Sequence, residues 1–566
     1  MSKYSKVTAS ISTKTPKATG QRVPTPGTVK NNAGGYVYEI DKWDRLDRFL
    51  ILGSDGATYY CTEHKMTLDN AKNVIDCIKE NGVRTVQRIV EISDQGRAPK
   101  NDPALFALAL CSAQGDLETR RLALNSLPKV ARIGTHLFQF AHFVDGLRGW
   151  GSGLRNAVAN WYNGMKPDRL ALQVVKYAQR TAEEGNAQSA WSHDDLLRKC
   201  HAKGDELHNM IYNYVTKEGK LPENVPAELS ILEGANKVKG QTNASVVAAL
   251  VKKYQLPHEL VPKDVSNDPQ VWNELLPHMP LTATLRTLNR MTSYGVLKPL
   301  SSNLKMVVDR LTDKDAIKKA RIHPIAVLSA LKTYSQGRGI KGSLTWNPIS
   351  QINDALNEML YMAFDAIEPS GKNILIALDI SGSMATGGIG GLDFINPREG
   401  SAVMAMATAR AEKNYHIVGF SSGVGGWKYN GGKSMHYGYA SEISPINISP
   451  RQRLDDVIKT VSSIPMGGTD CSLPMLYAQA QGLDVDAFFI YTDSETWANE
   501  NIKPAEALRQ YRNAKNSQAK LVVVGMTGTK FSIADPNDSG SMDVVGFDQS
   551  APSIMSDFIR KPLRVK

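Results

Sequence analysis

The run Asn373-Ile-Leu-Ile-Ala-Leu378, followed directly by Asp379-Ile-Ser-Gly-Ser383, decides the fold of the C-terminal part of the chain. An uninterrupted apolar run of this length predicts a parallel strand that is buried on both faces. Similar runs follow at 415–420, 487–492 and 520–524, and helical segments lie between them. This alternation predicts an α/β doubly wound domain over 369–566, with ligands expected at the carboxyl ends of its strands.

Five residues with side-chain oxygens are expected to converge at that edge of the sheet. Asp379, Ser381 and Ser383 alternate in the turn after the first strand. Thr469 lies directly before a predicted helix, and Asp493 follows the third strand. Oxygen donors alone suit a hard divalent cation rather than zinc, so we expect Mg²⁺, with Mn²⁺ or Ca²⁺ as alternatives.

Other chemistries at this edge lack the residues that they need. An aspartyl phosphatase needs a second Asp where Ser381 stands, and a serine hydrolase needs a Gly-x-Ser-x-Gly turn with a late histidine, whereas the last histidine is His436. A metal nuclease needs clustered carboxylates around two ions, and only Asp379 and Asp493 are expected to converge. We therefore expect a protein that is not an enzyme.

The chain before this domain has a different pattern. Residues 34–368 hold many short segments with apolar residues at helical spacing, one of them ending at Asn81-Gly82, and turn residues separate them. Paired short helices predict an all-α, HEAT-like helical repeat, although no fixed period is present. Residues 1–33 hold six basic residues and no acid, which predicts a mobile, disordered basic tail. Residues 421–450 are rich in Gly, Ser and Tyr and predict a hairpin or a mobile loop.

The charge of the chain is unevenly distributed. The 566 residues carry a formal net charge of +11. Residues 371–566 hold 19 basic and 19 acidic side chains, whereas the first 370 residues hold 48 basic and 37 acidic ones. All of the surplus positive charge thus lies in the N-terminal part, which predicts that this part meets a polyanion.

The sequence also indicates the compartment. No stretch approaches 18 uninterrupted apolar residues, and the first 30 residues lack the apolar core of a signal peptide. We therefore expect a cytoplasmic protein with no membrane partner. The five cysteines are widely spaced and form no CxxC pair, so we expect free thiols.

Several motifs in collinear order resemble the Ro family of RNA-binding proteins. In the C-terminal part they are Ile464-Pro-Met-Gly-Gly-Thr-Asp-Cys-Ser-Leu-Pro-Met475, Thr492-Asp-Ser-Glu-Thr496 and Ile533-Ala-Asp-Pro536. In the helical part, Asp41-Lys-Trp-Asp-Arg-Leu-Asp-Arg-Phe-Leu50 and Arg132-Ile-Gly-Thr-His-Leu-Phe138 resemble the TROVE module of that family. The resemblance runs from about residue 34 to the C-terminus. It implies a TROVE helical ring closed against a von Willebrand factor A-like domain.

The resemblance extends to the metal site, which is similar to the metal-ion-dependent adhesion site of von Willebrand factor A domains. It implies that Ser381, Ser383 and Thr469 hold the cation directly, and that Asp379 and Asp493 bind it mostly through water. Largely neutral direct ligands leave the ion electrophilic. Its open position would then attract a carboxylate or a phosphate.

The Ro family binds small non-coding Y RNA on the outer face of its ring, and its central hole accepts single-stranded 3′ ends of misfolded RNAs. The resemblance implies outer-face RNA contacts at Lys176, Arg180, His201, Arg132 and Thr135. Any one of these residues also fits an ordinary solvated helix face. Basic residues that are candidates for the hole are Arg286, Arg290, Arg310, Lys318, Lys319 and Arg321.

These features lead to an expected function in non-coding RNA quality control. The resemblance implies a monomeric protein within a ribonucleoprotein, and a 3′-to-5′ exoribonuclease of the polynucleotide phosphorylase kind as a partner. The alternative is a protein-interaction adaptor that binds an acidic partner through the metal site and binds no RNA. The basic bias of the first 370 residues argues against the adaptor.

Overall fold

The structure is a computed structural model of the chain. It describes residues 19–53, 63–177, 191–340, 342–364, 367–389, 392, 394–429 and 442–563. A short antiparallel hairpin opens the described chain, with strands β1 (Thr28–Lys30) and β2 (Tyr36–Glu39). Arg180, one of the expected RNA contacts, lies outside the described residues.

Eighteen α-helices follow in the described part of the N-terminal region. They are α1 (Lys42–Leu52), α2 (Glu63–Gln95), α3 (Asp102–Gln114), α4 (Leu117–Asn125), α5 (Leu127–Val130), α6 (Gly134–Arg148), α7 (Ser152–Asn163), α8 (Pro167–Lys176), α9 (His193–Cys200), α10 (Glu206–Thr216), α11 (Ser230–Val238), α12 (Ala244–Tyr254), α13 (Pro269–Leu275), α14 (Leu281–Ser293), α15 (Ser302–Leu311), α16 (Lys314–Lys319), α17 (Pro324–Ser335) and α18 (Ser350–Met362). The expected all-α region is therefore confirmed.

Local sequence signals set where these helices begin and break. Asn81 interrupts α2 with φ −157° and ψ 89°, and its side chain then accepts a hydrogen bond from Arg84 N, so the chain starts a new helix there. His323 caps α17, because its Nδ1 accepts from Ile325 N (3.2 Å) and Pro324 occupies the first turn. Both positions agree with the boundaries that the sequence predicts.

The helical series closes on itself. Many helices pack against the next one along the chain, as α1 does on α2, α11 on α12 and α17 on α18. Nε2 of His323, at the start of α17, donates to Arg97 O just after α2 (3.1 Å), and Arg321 pairs with Asp94 of α2 (3.2 Å). The two ends of the series therefore meet, which is the closure that a ring requires.

The C-terminal region is the predicted α/β domain. Its strands are β3 (Asn373–Asp379), β4 (Asn414–Ser421), β5 (Trp427–Lys428), β6 (Glu442–Pro445), β7 (Ala487–Thr492), β8 (Lys520–Gly525), β9 (Phe531–Ser532) and β10 (Ser541–Val545). Its helices are α19 (Pro397–Ala411), α20 (Leu454–Ser463), α21 (Leu473–Ala480), α22 (Pro504–Ala514) and α23 (Ala551–Arg560). The main sheet has the order β10-β8-β7-β3-β4-β6-β5.

The centre of this sheet is parallel and buried. Strand β3 pairs in parallel with β4 and β7, and Ile374 to Leu378 are all 0% exposed. The described parts of the 421–450 segment form the antiparallel strands β5 and β6, so the hairpin alternative holds there. Strand β10 was not expected from the sequence, because only its last two residues are buried.

The expected tail over residues 1–33 is wrong for residues 19–33, which form an ordered segment on the α/β domain. Gln21 is fully buried, and its side chain donates to Asp470 Oδ1 (2.7 Å) and accepts from Thr496 Oγ1 (2.7 Å). Strand β2 also pairs with β9. Low hydrophobicity misled the prediction, because hydrogen bonds to distant loops fix this segment rather than apolar burial. Residues 1–18 lie outside the described part.

Buried ion pairs join the two regions. Arg48 of α1 is 1% exposed and binds Asp543 of β10 with two hydrogen bonds of 2.6 and 2.7 Å. Arg97 binds Asp548 in the same way. Removing one partner of such a pair costs about 3–5 kcal/mol, because the other charge stays buried without compensation. The two regions therefore form a continuous body.

The structure bears on membrane spanning and on the state of the cysteines. Among the described helices, none is both long enough and apolar enough to cross a membrane. Cys77, Cys111, Cys200 and Cys471 are buried free thiols, and Cys61 lies outside the described residues.

Candidate RNA-binding cavity and metal site

Three loops meet at the carboxyl edge of the main sheet. Because β3 and β7 are neighbours, Asp379 at the end of β3 and Asp493 just after β7 lie at the same edge. Gly382 N donates to Gly467 O (3.4 Å), which brings the third loop against the first. Thr469 O accepts from Trp497 N (3.1 Å), so that loop is also tied to the segment after Asp493.

All five predicted metal ligands are buried in these loops. Ser381 N donates to Asp379 Oδ1 (2.9 Å), and the Oγ atoms of Ser381 and Ser383 are 3.1 Å apart. Ser383 forms a hydrogen bond with Asp493. Thr469 is 1% exposed. Hydrogen bonds therefore bring Ser381 to Asp379 and Ser383 to Asp493, and Thr469 is buried in the third loop.

Both carboxylates hold their protons more tightly than usual because they are buried. Burial, followed by the charge of Asp493, raises the pKa of Asp379 to about 7. Burial likewise raises the pKa of Asp493, and the hydrogen bond from Ser383 opposes the shift. Two buried acids without an ion-paired partner suit a cation. The site holds only two acids, and the described residues contain no cluster of three His, Cys, Asp or Glu side chains suited to a metal. The donor set fits a hard cation and not zinc.

Two residues that support this site were not predicted. Thr492 Oγ1 donates to Asp379 Oδ2 (2.7 Å) and fixes the orientation of that carboxylate. Thr492 is the last residue of β7, and this position at the carboxyl edge of the sheet could have marked it as part of the site. Asp470, next to Thr469, turns away and binds Ser472 Oγ (2.5 Å) and Asn499 Nδ2 (2.9 Å), so it anchors the loop instead.

A cavity of about 520 Å³ lies where the helical series closes. Its lining comes from the end of α2, the start of α6, α14 and α17, together with Leu392 of the α/β domain. Four of its lining residues are cationic and no carboxylate lines it: Lys100, Arg132, Arg286 and Arg321. Burial, and then the charge of Arg321, lower the pKa of Arg132, so these two guanidinium groups lie close together.

This placement separates Arg132 from the other expected outer-face contacts. Arg132 donates to Ser93 Oγ (3.0 Å) and Lys129 O (2.9 Å) at the cavity wall. Of the candidates for the hole, Arg286 and Arg321 line the cavity. Arg310 instead donates to Leu276 O (2.9 Å) and to Met279 O, and it supports the helix packing.

A second group of charges surrounds the end of α8. Lys176 pairs with Glu259 (3.1 Å), and the two side chains are 23% and 29% exposed. Glu259 also lies 3.1 Å from Nδ1 of His258. Burial lowers the pKa of His258, Glu259 raises it, and the cations Lys176, Arg290 and Arg286 lower it further. Because Arg286 also lines the cavity, the Lys176 group and the cavity are neighbours.

Thr135 is on α6, which is tied to the helix that carries Lys176, whereas His201 follows α9. The side chain of Ile133 does not cap α6, and Gly134 N, beside Thr135, donates to Gln173 Oε1 of α8 (3.0 Å). His201 follows α9, is exposed, and adopts a left-handed conformation with φ 51°. The structure thus joins α6, which carries Thr135, to α8, which carries Lys176, and places His201 at the end of α9.

Comparisons with known proteins agree with this architecture. The family model for the TROVE domain matches residues 29–334, and the model for the Ro60 vWA domain matches residues 373–559. The chain belongs to the Ro60 family of RNA-binding proteins. The resemblance seen in the sequence is therefore confirmed.

Relatives in the Ro60 family match the chain over nearly its full length. RNA-binding protein RO60 of Deinococcus radiodurans is 38% identical over 535 residues, which cover 94% of this chain and 95% of the relative. RNA-binding protein RO60 of Caenorhabditis elegans is 32% identical over 611 aligned positions, covering 94% and 90%. The crystal structure of the Deinococcus radiodurans RO (RSR) protein matches with a TM-score of 0.67 and 37% identity, covering 92% of this chain and 99% of that one. A Ro60-family member with this fold is thus an RNA-binding protein.

Proposed function

We propose that this protein binds a small Y or Y-like RNA on its outer surface and takes the single-stranded 3′ ends of misfolded non-coding RNAs into its cavity. In this role it acts in RNA quality control and degradation without catalysing a reaction itself. One observation carries the proposal: four cations and no carboxylate line a cavity at the closure of the helical series.

Phosphate chemistry explains why such a cavity suits RNA of many sequences. Lys and Arg that neutralise phosphates supply affinity without reading bases. A cavity with walls of packed helices admits an unpaired strand more readily than a duplex. It therefore selects a free RNA end by its shape. Lys176, Thr135 and His201 do not line the cavity, and they suit contact with the folded part of the RNA.

A salt series with two RNA hairpins tests the cavity. One hairpin carries a single-stranded 3′ extension and the other is blunt. Changing Arg286 and Arg321 to Gln should weaken binding of the extended hairpin and make the slope of log K against log salt shallower by about 1.4, since each single-strand phosphate contact contributes roughly 0.7. The affinity for the blunt hairpin should fall much less.

The matched control removes the same charge elsewhere. Lys318 and Lys319 are exposed on α16 and do not line the cavity. Changing both to Gln should leave the preference for the extended hairpin intact. Equal losses in the two double variants would mean that net charge, and not the cavity, determines binding.

We also propose that Asp379, Ser381, Ser383, Thr469 and Asp493 hold a divalent cation, with Mg²⁺ favoured. The cation would supply an electrophilic position for a carboxylate or phosphate of a partner. The supporting observation is the buried, all-oxygen donor set, in which burial raises the pKa of both carboxyl groups. Titration with Mn²⁺, followed by electron paramagnetic resonance, should show one site that is lost in Ser381→Ala.

The partner and compartment are part of the same proposal. A polynucleotide phosphorylase-type exoribonuclease would use the delivered 3′ ends, and a cytoplasmic location fits that task. The competing adaptor function would use the metal site alone. The adaptor function predicts that the partner binds the protein equally well with and without RNA. Co-purification of the partner after ribonuclease treatment distinguishes the two functions.

A further inference from the structure

Two tryptophans, one between α6 and α7 and one just before α9, form a cluster with a lysine of α9, and none of the three lines the cavity. The rings of Trp150 and Trp191 have centroids 5.2 Å apart at an angle of 52°. Nζ of Lys199 lies over both rings, 5.4 Å from the centroid of Trp150 and 5.2 Å from that of Trp191. Both indoles are partly exposed and Lys199 is exposed, so a ligand can reach them.

The surroundings of this cluster are open and lack an acceptor. A Cβ placed on Gly149 or Gly151, on either side of Trp150, would meet no atom within 4 Å. Nε1 of Trp150 is shielded from solvent and has no hydrogen-bond partner within the described residues. Space therefore remains beside Trp150 for a ligand.

The cluster has a cation without an ion-pair partner among the described contacts. Lys199 makes no ion pair among the contacts of the described residues, and its neighbour Arg198 is held by Asp194 (2.8 Å). His201 follows two residues later and is exposed. An indole face beside a cation that is not neutralised suits a flat, electron-rich group that carries a negative charge.

We propose that Trp150, Trp191 and Lys199 bind one unpaired nucleotide of RNA. The base stacks on the indole rings, and Lys199 turns from the rings to the adjacent phosphate. Aromatic stacking accepts every base, because each base has a π-face, and it favours purines for their larger ring area. This inference rests on RNA binding by the protein, but not on the cavity or on Lys176.

The test uses fluorescently labelled oligoadenylate of 12 nucleotides and the full chain. Trp191→Ala should weaken binding by roughly 5- to 150-fold, the range that loss of one base–aromatic stack produces. Trp191→Phe should restore most of the affinity. Wild-type protein should bind oligoadenylate more tightly than oligouridylate, and Trp191→Ala should lose this preference.

A matched control has the same kind of capped indole. Trp43 is partly exposed and has the guanidinium of Arg84 3.9 Å from its ring centroid. Trp43→Ala should bind oligoadenylate as the wild type does. If Trp191→Ala does not fold, Lys199→Glu replaces it, because an exposed lysine tolerates this change, and it should weaken binding by at least 5-fold.

Abasic RNA distinguishes stacking from charge. Replacing adenines by abasic nucleotides keeps every phosphate, and it should weaken binding to wild-type protein but have little further effect on Trp191→Ala. Folded Trp191→Ala and Lys199→Glu proteins with unchanged affinity would overturn this inference alone. Wild-type protein that binds neither oligoadenylate nor a folded RNA would overturn RNA binding itself.

Discussion

Replacing Glu259 by glutamine should strengthen RNA binding. Glu259 pairs with Lys176 at 3.1 Å, and it also faces His258 at 3.1 Å. An RNA phosphate that contacts Lys176 must displace or approach this carboxylate. Glu259 therefore acts as an internal competitor for the phosphate, and glutamine keeps its shape while removing its charge.

The size of the gain follows from the exposure of the pair. Exposed ion pairs contribute about 0.2–1 kcal/mol. With side chains 23% and 29% exposed, this pair belongs near the upper end. Removing about 1 kcal/mol of competition strengthens binding roughly 5-fold at low salt. The gain should shrink as ionic strength rises, since salt screens the charge that was removed.

The assay is a filter-binding titration of a small structured RNA at 50 and 200 mM salt. Glu233→Gln is the control, because it changes the net charge equally and frees Lys237, another paired lysine of the helical region. The gain should disappear when Lys176→Gln is added to Glu259→Gln. An equal gain from Glu233→Gln, or a gain that survives without Lys176, would refute the reasoning.

Three further perturbations follow from the structure. Burial holds the pKa of His323 at about 4, below its usual 6.5, so the unfolded chain takes up a proton that the folded chain excludes. The free energy of unfolding should keep its full value above about pH 6.5 and fall by up to about 3 kcal/mol as the pH drops towards 4. His323→Asn should flatten the corresponding decline in melting temperature. Gly35→Ala places a Cβ 1.9 Å from Thr496 O and should cost about 1–3 kcal/mol, with faster proteolysis of residues 19–33. Mg²⁺ at 100 times its Kd should stabilise the wild type by about 2.7 kcal/mol and leave Asp379→Asn unchanged in calorimetry, while both proteins bind RNA equally.

The parallel sheet was predictable because burial on both faces leaves a direct trace in the sequence. Strands β3, β4, β7 and β8 are nearly continuous apolar runs, and their order along the chain places the metal-site loops at one edge. Strand β10 leaves no such trace. Its Asp543 faces Arg48 of α1, and that pairing depends on tertiary structure rather than on local pattern.

The ordered N-terminal segment was beyond sequence reasoning for a similar reason. Its stability comes from polar side chains that bond with loops more than 440 residues away, as Gln21 does with Asp470 and Thr496. Composition alone predicts disorder for such a stretch. Glycines such as Gly35, which packs against Thr496 O, are a local sign of close contact.

The basic residues show where spacing reaches its limit. A resemblance can match Arg132 and Lys176 to the same family, but it does not show which surface of a closed helical series each one faces. The structure places Arg132 at the cavity and Lys176 beside Glu259. The division between cavity and outer surface arises from how the helices close, which no local pattern records.

Crosslinking of the RNA terminus tests the central claim most directly. An RNA hairpin with a single-stranded 3′ extension would carry 4-thiouridine at its last nucleotide, and the crosslinked peptides would be identified by mass spectrometry. We expect crosslinks within 92–101, 282–289 and 321–334, which line the cavity, and we expect them to be lost with a blunt hairpin. Crosslinks confined to the α/β domain or to helices remote from the cavity would contradict the account.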